Sequence, residues 1–121
     1  DASEAKLIAR EDLKAPRLAD LLGLDDLGFR RLFSGSPIKR IGRDKFVSNC
    51  LIAAGNSGRA EFLPAAQGLL SDDAPLVRAM AVWAIGRLDR GEALRLRAAA
   101  LDKEADETVR SEWHALDESQ D

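Results

Sequence analysis

The residues best suited to chemistry are clustered cations. Between Gly28 and Ser48 stand Arg30, Arg31, Lys39, Arg40, Arg43 and Lys45 against Asp44 alone, a balance of +5 in a 121-residue chain whose formal net charge is -3. Such a block attracts phosphate through Coulomb forces and counterion release. Its spacing adds geometry. Ser34-Gly-Ser-Pro37 reads as a turn, because Gly relaxes the backbone and Pro disfavours a helical residue before it. The turn delivers Lys39 and Arg40, and Gly42 then opens a helix whose first turn carries Arg43 and Lys45. A helix start offers exposed N–H groups and a positive dipole end, a natural phosphate seat. With Arg30 and Arg31 on the preceding helix, these cations could track a nucleic-acid backbone. Phe33 and Phe46 are the few aromatics among them and read as core, so recognition of backbone and shape in a folded RNA fits better than base stacking. The plainer alternative is a solvated surface stretch.

No other set of residues assembles a reactive site. Cys50, the one cysteine, lies on an apolar stripe with Val47, Leu51 and Ala54 and reads as a core thiol, whose pKa burial raises. A single cysteine excludes a disulfide framework, a thiolate zinc site and any cluster held by this chain alone. His114, the one histidine, sits near an acidic tail on the expected exposed face of the last helix. Trp83, Trp113 and Met80 fall at helical spacing beside small apolar residues and read as inter-helix packing. Asp72 and Asp73 read as cap and dipole partners at a helix start rather than as a metal site. Gly55-Asn-Ser-Gly58 follows a helix, so it reads as a helix stop rather than a phosphate loop. A self-standing enzyme would need a titratable constellation that one His and one Cys do not supply. No catalytic residue, cofactor site or metal site is expected in this chain.

The elements that must position the cations are helical. With 45% apolar and 32% charged residues the chain has the composition of one globular domain, large enough to bury a core. No apolar run approaches the about 20 residues a membrane helix needs, so no membrane partner is expected, and the reduced cysteine suits a cytoplasmic setting. Residues 1–17 read as a leading segment or linker from an upstream domain. Residues 18–41 read as capping helices and the basic turn: Leu18, Leu21 and Leu22 form one short face that Gly23 closes, and Asp25 and Asp26 precede a second helix through Phe33. Residues 42–121 read as a repeat array. Apolar residues at helical spacing recur over Val47–Ala54, Phe62–Leu70, Val77–Leu88, Leu94–Leu101 and Val109–Leu116, with Pro75 in the first turn of the third. Strand signals are missing, so the predicted class is all-α.

The array repeats itself. Asp73-Ala-Pro-Leu-Val77-Arg78 aligns with Ala105-Asp-Glu-Thr-Val109-Arg110 at an offset of 32 residues, and Gly55 aligns with Gly86 at 31. Two helices per unit, with an acidic inter-helix turn followed by Val-Arg, resembles HEAT-like repeats, short helical pairs that stack into an α-α superhelix because no pair buries its apolar face alone. Two and a half units fit, with the preceding helices as an N-terminal cap.

A more specific resemblance rests on Lys14-Ala-Pro16, Leu21-Leu-Gly-Leu-Asp25-Asp, Phe29-Arg30, Gly35-Ser-Pro-Ile-Lys-Arg-Ile-Gly-Arg43 and Leu51-Ile-Ala-Ala-Gly55-Asn-Ser-Gly58, with Leu76-Val-Arg78 and Trp83-Ala-Ile-Gly-Arg-Leu88 beyond them. These segments, within roughly residues 10–90, resemble the C-terminal HEAT-like region of epoxyqueuosine reductase. The resemblance implies a parent that reduces epoxyqueuosine in tRNA to queuosine, using cobalamin and two four-iron–four-sulfur clusters in catalytic and ferredoxin-like domains upstream of this chain. It implies a tRNA-facing role, toward the anticodon stem-loop, for Ser36, Lys39, Arg40, Arg43 and Lys45, with Asn49 at a position that family usually fills with Asn. Ser48 departs from the family, which usually carries Arg there. The expected function is therefore a non-catalytic tRNA-docking module, monomeric and packed against its own upstream domains. The competing expectation is a scaffolding module with no nucleic-acid role, whose binding would be insensitive to salt.

Overall fold

A computed structural model describes residues 15–118, with side chains from Arg17 onward. The leading segment, apart from its last three residues, and the final three residues of the acidic tail lie outside the described residues. Among the described residues seven α-helices follow in order: α1 (Ala15–Leu22), α2 (Asp26–Leu32), α3 (Arg43–Ser57), α4 (Leu63–Gly68), α5 (Pro75–Leu88), α6 (Arg90–Ala100) and α7 (Glu107–Ala115). Short 3-10 turns fill the joints at Pro37–Ile41, Ala60–Phe62, Leu69–Ser71 and Leu101–Lys103. No strand occurs among the described residues, so the all-α expectation holds.

Local chemistry sets the boundaries. Asp25 caps α2 by accepting the Gly28 N–H at 2.7 Å, and Asp89 and Asp106 do the same for α6 and α7. The expected helix stop at Gly55–Gly58 resolves into two different glycines. Gly58 alone ends α3, at φ +69°, where a side chain would be strained. Gly55 lies inside α3 and serves packing: a Cβ there would meet Trp83 Cζ3 at 2.6 Å and Ala84 Cα at 3.2 Å. Gly86 of α5 serves the same purpose in the next unit, where a Cβ would stand 2.7 Å from Leu116 Cδ2. The aligned glycines are thus points where α3 meets α5 and α5 meets α7.

The helices α3, α5 and α7 form one layer, with α4 and α6 behind it, and α5 is the central member, packed against α3, α4, α6 and α7. Its buried face holds Val77, Ala79, Ala81, Val82, Ala84 and Ile85. Val109 and Trp113 continue the core from α7, and Leu18, Leu21 and Leu22 of α1 close the other end over α3. Cys50 is a core thiol, and His114 is exposed. Trp113 is buried, and half-buried Trp83 fills the space over Gly55 with the Arg87 guanidinium 5.8 Å from its ring centre.

Glycine spacing gives a paired prediction. Gly55→Ala is expected to destabilise by about 1–3 kcal/mol through overpacking against a rigid ring and a backbone carbon. Gly68→Ala, where nothing lies within 4 Å of the added carbon and the backbone is helical, should instead stabilise by about 0.5–1 kcal/mol. Urea unfolding of the two variants measures both signs.

Candidate nucleic-acid interface

The basic segment is built on a bracket of aromatic and aliphatic side chains. Phe29 of α2 and Phe33, just past its end, pack as tilted rings with Phe46 of α3, the three meeting at centroid distances of 5.1, 5.5 and 4.8 Å, which fixes the angle between the two helices. The turn after α2 leads into the 3-10 helix Pro37–Ile41, an ordered element where residue types alone suggest only a turn. Ser36 caps it: its hydroxyl accepts the Ile38 N–H at 3.2 Å, and Pro37 occupies the first helical position. Lys39 N–H donates to the Ser36 carbonyl at 3.1 Å, and Gly42 N–H donates to the Lys39 carbonyl at 3.3 Å. In a 3-10 helix residues three apart eclipse one another. Ile38 and Ile41 therefore both turn onto the core, leaving Lys39 and Arg40 exposed. Gly42, at φ +82°, redirects the chain into α3 and offers no side chain to cap its first turn.

Lys39 is the centre of the resulting ridge. One shallow depression beside it is lined by Asp26, Phe29, Arg30 and Gly42, and a second by Gly35, Ser36, Pro37 and Arg40. Arg30 is exposed and pairs loosely with Asp26 at 3.2 Å, an interaction water screens strongly at two-thirds exposure. Lys45 is half-buried in the first turn of α3. The structure thus brings Arg30, Ser36, Lys39 and Arg40 to one surface.

Arg43 and Asn49 are placed differently. The Arg43 side chain is 13% exposed and its guanidinium is engaged on three sides. Its Nε–H donates to the Leu24 carbonyl at 2.8 Å, its two terminal nitrogens grip both oxygens of Asp72 at 2.8 and 3.0 Å, and one of them also reaches Asp44 at 3.0 Å. Asn49 is 3% exposed, and its Nδ2 has no hydrogen-bond partner among the described residues. Ser48, the departure from the reductase pattern, is buried and bonds the Asp44 carbonyl at 2.7 Å.

Beyond Arg43 the surface changes sign. Asp25, Asp26, Asp44, Asp72 and Asp73 line the hollow next to its guanidinium. The expected role of Asp72 as a cap and dipole partner of α5 is refined here. The cap residue of that helix is Ala74, and the Asp72 carboxylate accepts the Ala74 N–H at 3.0 Å while holding Arg43. The next unit repeats the device. Arg78 grips Glu104 through two bonds at 2.9 and 3.0 Å, and Glu104 accepts the Asp106 N–H at 3.0 Å. Arg78 also bonds the Asp72 and Asp73 carbonyls, and Arg110 bonds the Leu101 and Glu104 carbonyls. This is the physical content of the repeated Val-Arg: the valine enters the core and the arginine ties the preceding turn.

Bidentate pairing moves the titrations. The Arg43 guanidinium holds the Asp72 carboxyl below its ordinary value near 3.8, and Arg78 holds Glu104 below 4.5. Both groups stabilise the fold when ionised, so their contribution is present at neutral pH and is lost as pH falls through the lowered values. Glu112 works the other way, since burial raises its pKa above 4.5 and its protonated form favours the fold. Thermal stability is therefore expected to drop steeply below about pH 4. Glu104→Gln should shallow that drop, as read by melting temperature against pH.

Residues 44–117 match the family described as HEAT repeats. The chain belongs to the HEAT repeat family. This HEAT-repeat chain is also 35% identical over 80 residues to the epoxyqueuosine reductase of Xanthomonas campestris pv. campestris, covering 65% of this chain and 22% of that protein. It is 36% identical over 87 residues to the epoxyqueuosine reductase of Alicycliphilus denitrificans, covering 65% and 24%. The HEAT-repeat chain therefore spans about a quarter or less of these relatives. A crystal structure of a selenomethionine-labelled epoxyqueuosine reductase superposes with a TM-score of 0.76 at 28% identity, over 84% of this chain and 27% of the other. The resemblance drawn from the sequence motifs thus holds. With one cysteine, buried in the core, the residues of this chain do not fit an iron–sulfur cluster, whose irons need several thiolates. Among the described residues no group of three or more potential metal ligands assembles, and no helix is long and apolar enough to cross a membrane.

Proposed function

We propose that this chain is the tRNA-docking module of an epoxyqueuosine reductase, acting in the cytoplasm beside the parent's catalytic, cobalamin- and cluster-bearing domains. The observation that carries the reading is the ridge on Pro37–Ile41, where two half-buried isoleucines packed against the core leave Lys39 and Arg40 outward. Preorganised cations lose little entropy on meeting phosphate, and the uncapped start of α3 beside them adds the positive end of a helix dipole. Arg30 and Ser36 extend the surface on either side. The acidic hollow beyond Arg43 repels phosphate and gives the surface an edge, which favours one orientation of a bound stem.

The test is binding of a labelled anticodon stem-loop to the chain and to its Lys39→Ala/Arg40→Ala variant. Affinity is expected to fall about ten- to a hundredfold, with the salt slope shallower by about one unit for each phosphate no longer neutralised. Lys103→Ala, at an exposed turn of a later unit, should bind as the parent chain does. Equal affinity for all three proteins would remove the ridge from the interface.

A further inference from the structure

The geometry points to Arg43 as a positioning residue that sets the basic ridge on the repeat array, held off the RNA by Asp72, rather than as a phosphate contact. The inference rests on the docking role proposed above and concerns how that surface is held. Arg43 is the first residue of α3, directly after the glycine that ends the ridge. From there its side chain joins three separate pieces of the molecule. Nε–H holds the Leu24 carbonyl in the α1–α2 joint, the terminal nitrogens hold Asp72 at the threshold of α5, and the backbone carries the ridge. Four bonds occupy a guanidinium that has five N–H donors, and the side chain is 13% exposed. A phosphate would have to displace Asp72, whose bidentate grip is the strong form of this pairing. It would also enter a hollow bearing five carboxylates.

Arg78 supplies the control, because it makes the equivalent bidentate grip on Glu104 in the following unit and reaches Asp72 only at its backbone carbonyl, not at the carboxylate that holds Arg43. Its side chain is comparably covered, at 19% exposed. If Arg43 positions the ridge, Arg43→Gln and Arg78→Gln should both lower the melting temperature, yet only Arg43→Gln should weaken RNA binding.

The experiment measures stem-loop affinity across a salt series for the chain, Arg43→Gln, Arg78→Gln and Asp72→Asn, at a temperature where each is folded by circular dichroism. Arg43→Gln is expected to lose about five- to tenfold in affinity with an unchanged salt slope, since no counterion-releasing contact disappears. Asp72→Asn should steepen the slope, because Arg43 then becomes available to phosphate. A slope shallower by about 0.7–0.9 in Arg43→Gln would overturn the inference by making Arg43 a direct contact. Equal affinity losses in Arg43→Gln and Arg78→Gln would overturn it by reducing the effect to general stability.

Amide exchange tests the same inference without RNA. The Lys39 and Gly42 amides, bonded within the ridge, should exchange about tenfold faster in Arg43→Gln and unchanged in Arg78→Gln. Equal exchange in both variants would overturn the positioning role. If the unaltered chain does not bind RNA while this pattern is seen, the docking proposal fails and the positioning of the segment stands.

Discussion

Val77→Asp is expected to abolish the cooperative unfolding transition of the chain. Val77 has no exposed surface and lies on α5, the helix packed against four others. The substitution removes about 1.5–3 kcal/mol of apolar burial and places a carboxylate among apolar side chains. Effects of this kind exceed about 4–5 kcal/mol, against a total of about 5–15 kcal/mol for a domain of this size. Far-ultraviolet circular dichroism against temperature should show low, non-cooperative helicity. Leu76→Asp, one residue earlier and 43% exposed, should melt close to the unaltered chain, within about 0.5 kcal/mol. A cooperative Val77→Asp transition would show that α5 does not occupy the centre of the array.

The second large effect is expected at Asp72. Asp72→Ala takes two of the four bonds from the Arg43 guanidinium, which is 13% exposed, opens the bond to the Ala74 N–H and releases the tie between α3 and the start of α5. Removal of one partner from a fully buried pair costs about 3–5 kcal/mol, and partial access to water brings the expected loss here to about 2–3 kcal/mol. Arg43→Met/Asp72→Ala should recover part of that loss, because the double variant leaves no half-bonded guanidinium at the edge of the hollow. Strictly additive losses in urea unfolding would mean that the pair is not coupled.

Local and periodic features of the fold are legible in the sequence. Each helix declares itself by apolar spacing, Asp25 by its place before an apolar run, and the repeat by Val77-Arg78 against Val109-Arg110. What escapes is set by distant neighbours or by segments too short to show a period. The Arg43–Asp72 grip joins residues 29 positions apart, so adding the charges of residues 28–48 counts Arg43 as available when a distant carboxylate already holds it. Gly55 and Gly58 look alike as letters. Only their surroundings separate them, a ring against one and a left-handed backbone at the other. The 3-10 helix resembles a plain turn in sequence because the alternation of Ile38 and Ile41 with two cations spans too few residues to reveal its spacing. Asn49 enters the candidate surface through family resemblance, and burial, which the sequence does not display, places it inside.

Docking of folded RNA on the ridge of Lys39 and Arg40 is the central claim. The most direct measurement is fluorescence anisotropy of a labelled tRNA anticodon stem-loop titrated with this chain at two salt concentrations. A docking ridge predicts saturable binding that weakens steeply with salt, by roughly a factor of ten for every two phosphates neutralised when salt rises about threefold to fourfold. Absence of binding at high protein concentration, or an affinity indifferent to salt, would contradict it and leave a helical scaffold as the function of the array.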